Sequence, residues 1–394
     1  MSPAPTMRWA SAWSPRADLD SALEECLPGL KAELGEGPID LVMAFVSGSN
    51  TRFADPLRVA LQQRLQPVTL VGITARGVVT RDHEVEQGSG LSLIAARLPR
   101  VEVKPFLLMP EVWREPIEDE STFEQVAPGA KGAELVVLLA DPFSLDVERV
   151  LRLFNRFAPG VRVVGGLASA GVRPRQNSLF LNDWQAQEGG VALAFHGALR
   201  ADVVVSQGCE PIGPPLDVTH VEQNIILTLD GQPALERAEQ VLREIPESRR
   251  QSLEQGLYVG RPARGDASGR GDYLIRNLLG ADRDRGALAV ADLIGPREKI
   301  RLHLRDGQAA VEDMEMLLSP QAFDSKASGA LLFACNGRGR PLFGAPDRDI
   351  TLLQQALGGS VPVAGMFAAG EIGPVGERNF LHGHTASIAI LRPR

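Results

Sequence analysis

Cys335 ends the apolar run "LLFAC" and opens the loop "CNGRG", followed by Arg338 and Arg340. A cysteine nucleophile needs a lowered pKa, a histidine within hydrogen-bond reach and a third group to orient that histidine. His382 and Glu371 supply those residue types, so a thiol-dependent hydrolase or amidotransferase using Cys335, His382 and Glu371 is one chemistry the chain could carry. The local sequence weighs against it. "CNGRG" lacks the tight strand-turn-helix elbow that presents a nucleophile, and a cysteine after an apolar run is more often a small buried hydrophobe.

Binding is the other chemistry these residues suit. The glycines of "NGRGR" free backbone N–H groups to line a concavity, and the planar guanidinium of Arg338 or Arg340 can hold a carboxylate bidentately. Glu371, in "AAGEIGPVG", follows a strand whose small residues invite close approach and would supply the opposite charge for a zwitterion. A plain Arg–Glu ion pair tying two loops together is the bland alternative. Either way the two loops should meet.

Other site chemistry is weaker. "LHGHT" puts His382 and His384 two apart, a spacing that on a strand turns both rings to one face. Gly383 weakens that strand, and no further ligand stands at a diagnostic spacing, so no metal is expected and one histidine should bind a loop backbone. His196 and His220 are isolated. Neither GxGxxG nor GxxxxGK[ST] is present, which excludes the common nucleotide loops. "EPIGPPLDV" reads as a rigid proline-rich turn.

The elements that must position these residues repeat three times. Each segment has an apolar strand, a turn, a helix, a second strand ending in small residues, and a closing strand. The first runs through "IDLVMAFVSGSN", "DPLRVALQQRL", "PVTLVGITARGVV" and "SGLSLIAARL". The second runs through "AELVVLLADPFS", "DVERVLRLFNRF", "VRVVGGLASAGV" and "EGGVALAFHG". The third runs through "GALLFACNGRG", "DRDITLLQQAL", "VPVAGMFAAGEIG" and "HGHTASIAIL". Continuous Val/Leu/Ile runs joined by a helix describe βαβ crossovers whose strands are buried on both faces. Acidic residues mark the helix starts at Asp55, Asp146 and Asp347 or Asp349. Between the second and third repeats, from about 200 to 328, the pattern changes to strands with a turn at Asp230-Gly231 and a helix with Ala234, Leu235, Ala238, Val241 and Leu242 on one face. A strand with alternating Ile300, Leu302 and Leu304 and another helix follow.

The expected fold is therefore α/β of the mixed α+β kind, with repeated βαβ units forming a layered sandwich of sheets covered by helices. At 394 residues two domains fit the chain. A boundary near residue 198 gives an N-terminal extension (1–36), a first domain (37–198) and a second (199–394), docked together. If the first and third repeats are pseudo-symmetric, "VSGSN" and "CNGRG" are equivalent loops facing one cleft between the domains.

A formal net charge of −8 argues against nucleic acid as a partner, and the Arg- and Gly-rich stretch "ESRRQSLEQGLYVGRPARGDASGRGD" reads as a mobile, solvated segment. Three cysteines at wide spacing make neither a disulfide framework nor a CxxC motif. With no signal peptide and no apolar span of about 18 residues, the expectation is a soluble, cytoplasmic protein with no membrane partner.

Taken in order, "SQGCEPIGPPLDVT", "LDGQPALE", "YLIRNLLGADRDRGALAV", "LLFACNGRGRPLFG" and "VAGMFAAGEIGPVGERNFLHGHTASIAIL" resemble the FIST family, named for F-box and intracellular signal transduction proteins. The resemblance covers about residues 37 to 392. It implies a FIST N-terminal and a FIST C-terminal domain acting as a bacterial sensor of small ligands, amino acids among them. It also extends to haem-bound gas sensors, which makes haem a cofactor to test. No output module fits in the sequence, so signalling would need a protein partner. The expected function is binding of a small polar metabolite in the interdomain cleft by Ser47, Gly48, Cys335, Asn336, Arg338, Gly370, Glu371, Asn379 and His382, without catalysis.

Overall fold

Each repeat builds the same three-stranded unit, visible in a computed structural model that describes residues 6–263 and 269–394. The first contains β1 (Leu41–Ser47), α1 (Ala54–Leu65), β2 (Thr69–Ala75) and β3 (Gly90–Arg97). The second contains β4 (Leu135–Ala140), α2 (Val147–Phe157), β5 (Arg162–Leu167) and β6 (Gly190–Gly197). The third contains β7 (Gly329–Cys335), α3 (Arg348–Ala356), β8 (Val363–Ala368) and β9 (Thr385–Pro393). In every repeat the first two strands are parallel, joined by the crossover helix, and the closing strand lies antiparallel to the first.

Two further strands complete each sheet, and their sources form a cycle. A preceding strand pairs with each closing strand: Arg8–Ser14 with β3, Val101–Leu108 with β6, and Leu199–Gln207 with β9. On the opposite edge, each second strand is extended by a hairpin from a different repeat. Val78–Val79 and Glu84–Val85, following β2, join the third sheet. Leu179–Leu181 and Trp184–Ala186, following β5, join the first. Glu371–Val375 and Arg378–His382, following β8, join the second.

The period-two pattern of the strands decides what each face buries. Leu41, Met43 and Phe45 of β1, Leu135, Val137 and Leu139 of β4, and Leu331 and Phe333 of β7 share one central core. Val42, Ala44 and Val46 instead pack under α1, and Val136, Leu138 and Ala140 under α2. The small-residue ends of the second strands meet one another: Phe367 N donates to Gly77 O at 3.0 Å, and Leu167 N to Gly370 O at 2.9 Å. A Cβ on Gly365 would overlap the Leu332 carbonyl. The close approach is therefore backbone on backbone.

The chain divides into two compact units, the first comprising 1–205, 314–381 and 385–394 and the second 206–313 with 382–384. In sequence the second interrupts the third repeat. Its antiparallel sheet runs Cys209–Glu222, Lys299–Arg305, Leu257–Pro262, Tyr273–Asp282, Ala287–Val290, Ile225–Leu229, Gln232–Pro233. An additional pairing of Cys209–Glu222 with Ile225–Leu229 closes six of these strands into a barrel around Ile212, Val259, Ile300 and Leu302.

Two local expectations change. "EPIGPPLDV" is part of a long strand, whose register shifts between Ile212 and Leu216 so that Pro214 and Pro215, which cannot donate to the ladder, fall in a bulge. Of the Arg- and Gly-rich stretch, residues 264–268 lie outside the described residues, and Leu257–Pro262 is a strand paired on both sides.

Candidate functional site

Strand register identifies one position that differs among the repeats. The hairpin residue opposite Ile73 is Leu179, that opposite Met366 is Val78, and that opposite Gly166 is Glu371. Leu179 and Val78 are fully buried hydrophobes, and Glu371 is equally buried at 0% exposure. Glu371 Oε2 accepts from Thr385 N (3.0 Å) and Thr385 Oγ1 (2.8 Å), whereas Oε1 has no hydrogen-bond partner. Burial pushes this carboxyl up to about 8, against the opposing pull of the Thr385 hydrogen bonds, the Arg338 charge and the Cys335 thiol. Glu371 is therefore mostly protonated at neutral pH.

Beside it, the end of β7 turns sharply. Asn336 N continues the ladder to Ala368 O (3.0 Å) and Arg338 N donates back to Cys335 O (2.8 Å). The turn sends Arg338 inward, to 0% exposure. Its Nε and Nη2 each lie 2.7 Å from an oxygen of Asp349, in the first turn of α3, and the guanidinium lies 5.3 Å from the centre of the Phe343 ring. Nη1 has no partner, nor does the half-buried Asn336's Oδ1. Burial works against the Arg338 charge, but Asp349 more than offsets it and holds the group above its ordinary value. Gly339 follows at φ +69°, where a Cβ would come within 2.5 Å of the Glu86 carboxyl, and Glu86 Oε1 accepts from Arg340 N at 2.9 Å.

The hairpin donated by the first repeat brings in Glu84, 5% exposed. Its Oε1 accepts from Ile350 N (2.8 Å) and its Oε2 has no partner. Burial, followed by the Asp349 charge, pushes it up to about 8, although the Ile350 hydrogen bond and Arg338 pull the other way. A cavity of about 450 Å³ opens at Glu84, walled by Trp13, His83, Glu86, Arg340 and Asp347.

The geometry sorts the residues singled out in the sequence. Cys335, Asn336, Arg338 and Glu371 form one cluster, tied by the turn at 335–338 and by the action of Arg338 and Cys335 on Glu371. Ser47 and Gly48 lie against the 84–90 stretch that also meets Gly339: Ser47 Oγ donates to Gly88 O (3.2 Å), and Gly48 is at φ +63°. Gly370 serves through its carbonyl in joining β5. Asn379 is a fastening of the second sheet, its side chain bonded to Val163 N (2.8 Å) and Val161 O (2.8 Å). His382 is buried and groups with the second unit. His384 adopts φ +63°, directs Nε2 to Asn277 Oδ1 (2.8 Å) and rests on Tyr258, so the two rings do not share one strand face.

The arginine partner proved to be Asp349, which reads in sequence only as a helix-start acid, and Glu84 is hidden in the polar stretch "RDHEVEQGSG". Strong apolar flanks were missing as a signal for both. Among the described residues, no three His, Cys, Asp or Glu side chains are grouped as a metal ion would need. His196 and His220 do not suit axial haem ligation: His196 Nε2 is engaged with Gly129 O at 2.7 Å, and His220 is exposed on its strand.

Comparison with known proteins gives a consistent result. The sequence matches the FIST N domain over residues 40–232 and the FIST C domain over 234–374. An uncharacterized protein of Mycobacterium tuberculosis is 34% identical over 388 residues, covering 98% of this chain and 99% of the relative. An uncharacterized protein of Mycobacterium bovis is 34% identical over 368 residues, covering 90% and 91%. Among solved structures, a cyanuric acid hydrolase from A. caulinodans aligns with 12% identity and a TM-score of 0.32, over 99% of this chain and 100% of that one.

Proposed function

The chain belongs to the FIST family, and from that premise we propose that it is a sensory protein of intracellular signal transduction that binds a small polar metabolite at the end of β7. FIST domains are associated with signal-transduction sensing. The contacts are assigned to Cys335, Asn336, Arg338 and Glu371, amino acids are among the candidate ligands, and the signal passes to a protein partner in the cytoplasm.

One observation carries the reading. A scaffold built three times over buries hydrophobes at two equivalent positions and a carboxyl with an unpartnered oxygen at the third. An unsatisfied buried polar atom costs about 1–3 kcal/mol, and groups left in that state call for an explanation other than packing. A polar ligand that completes the hydrogen bonds of Glu371 and Arg338 removes the cost.

A metabolite panel screened by thermal shift tests the proposal. A ligand present at about 100 times its Kd stabilises by about 2.7 kcal/mol, and the shift should disappear in Glu371→Leu, which restores the residue type of the other repeats. No stabilising compound, or a shift unchanged by that substitution, would sink the assignment.

The thiol chemistry is separable by labelling. Cys335 is half-buried, whereas Cys26 and Cys209 are buried and burial pushes the Cys26 thiol up to about 12. Iodoacetamide should therefore modify Cys335 first, at a rate that climbs with pH through the ordinary thiol range. A rate for Cys335 that stays high and flat down to about pH 6 would instead indicate a stored thiolate, and a hydrolase.

A further inference from the structure

We propose that the cavity at Glu84 receives the primary ammonium group of a small organic ligand, with Glu84 Oε2 as its hydrogen-bond acceptor and Trp13 as the aromatic wall beside it. This names the chemical class of the ligand and rests on the reading that the third repeat and the hairpin inserted beside it form the sensing site.

The cavity walls carry the argument. Glu84, Glu86 and Asp347 bring three carboxyl groups to one concavity of about 450 Å³, with Arg340 as the cation among its lining residues. Acidic groups alone would prove nothing, because they also occur on solvated surfaces. Glu84 is different, being 5% exposed with Oε1 engaged by Ile350 N and Oε2 lining the cavity without a partner. Asp347 has one oxygen spent on Glu84 N at 2.6 Å, and Glu86 has one spent on Arg340 N. The acceptor left over in the buried part of the wall is therefore the Glu84 oxygen.

What separates an organic cation from a metal ion is the remaining lining. Metal ions are held by three or more converging ligands, and among the described residues no such group of His, Cys, Asp and Glu is present. Trp13 lines the cavity, half-buried and edge-on to His83 at 5.5 Å between ring centres. An indole face attracts an ammonium through its quadrupole and gains from the partial desolvation of a cavity. Arg340 supplies the other half of the recognition for any ligand that also bears a carboxylate.

Glu84 also links the cavity to the buried cluster. It shares Arg338 and Asp349 as electrostatic neighbours. Arrival of an ammonium ion favours the ionised carboxylate, so a proton should leave as the ligand binds, and the balance around Arg338 changes with it.

Calorimetric titration of the full chain with cadaverine, L-lysine, n-pentanol and magnesium ion tests this. Cadaverine or lysine should bind and n-pentanol should not. The binding enthalpy at pH 7 should depend on the ionisation enthalpy of the buffer, as proton release requires. Glu84→Gln should weaken binding at least tenfold and abolish the buffer dependence, and Trp13→Leu, on a different strand, should weaken it several-fold. The second variant keeps the test decisive if the first fails to fold. Lysine binding tighter than cadaverine, with the difference erased by Arg340→Gln, identifies a zwitterion; equal affinities identify a simple amine. No binding of either ammonium compound, equal binding of n-pentanol, tighter binding of magnesium, or indifference to both variants overturns the proposal. Ligands from the wider panel that respond to Glu371→Leu but not to Glu84→Gln would overturn the ammonium site alone. Ammonium binding that responds to Glu84→Gln but not to Glu371→Leu would move the sensing site away from Glu371.

Discussion

Arg338→Met should destabilise the first compact unit by about 3–5 kcal/mol, because it leaves Asp349 as a buried charge without its counter-ion. Both side chains are at 0% exposure, so solvent cannot screen the loss. The remaining neighbours make it worse, since Glu84 and Asp349 already repel. Removing both partners tests the mechanism: Arg338→Met with Asp349→Leu should recover most of the loss, as paired buried charges can often be exchanged for hydrophobes at little cost. Urea denaturation followed by tryptophan fluorescence is the suitable measurement, because Trp9, Trp13, Trp113 and Trp184 all lie in the first unit. Equal destabilisation in the single and double variants would mean that the guanidinium matters as packing volume rather than charge.

Replacing Glu371 by glutamine should change how stability depends on pH. Its carboxyl goes from an ordinary value of 4.5 to about 8 in the folded chain. Between those values the folded state binds a proton that the unfolded state has released. Stability from this group is therefore full below about pH 4.5 and is lost as pH rises through about 8. The loss between pH 5 and pH 9 should be roughly 3–5 kcal/mol at 1.36 kcal/mol per unit. Glu84 contributes in the same direction. Glu371→Gln should flatten the curve by its own share, leaving the part that belongs to Glu84. A curve identical to that of the unaltered protein would mean that Glu371 is ionised in the folded state.

Much of the scaffold was legible because long apolar runs such as "LVMAFVS" and "LVVLLA" can hardly be anything except doubly buried strands. Asp146 reads correctly as a helix cap, accepting from Arg149 N at 2.8 Å. Other parts were out of reach for physical reasons. Val78–Val79 is two residues long, too short for any periodicity, and its pairing with β8 depends on the folded first repeat. Cys335, Arg338 and Glu371 stood out by residue type and by the glycines near them. Asp349 did not, because an acid in a first helical turn is normally explained by the helix itself. The full burial of Glu371 follows from a strand register shared between two repeats, and nothing in its flanking residues encodes that.

The cyclic exchange of hairpins has a consequence for how the molecule comes apart. In a solenoid each repeat touches only its neighbours, and fragments can keep their structure. Here an excised repeat would lack the hairpin that covers its second strand and would leave its own hairpin without a sheet, exposing edges that invite aggregation. The three sheets should therefore melt in a single cooperative step, and the ladders that join distant segments should make folding slow. Hydrogen exchange at the centres of β1, β4 and β7 should report one common opening free energy.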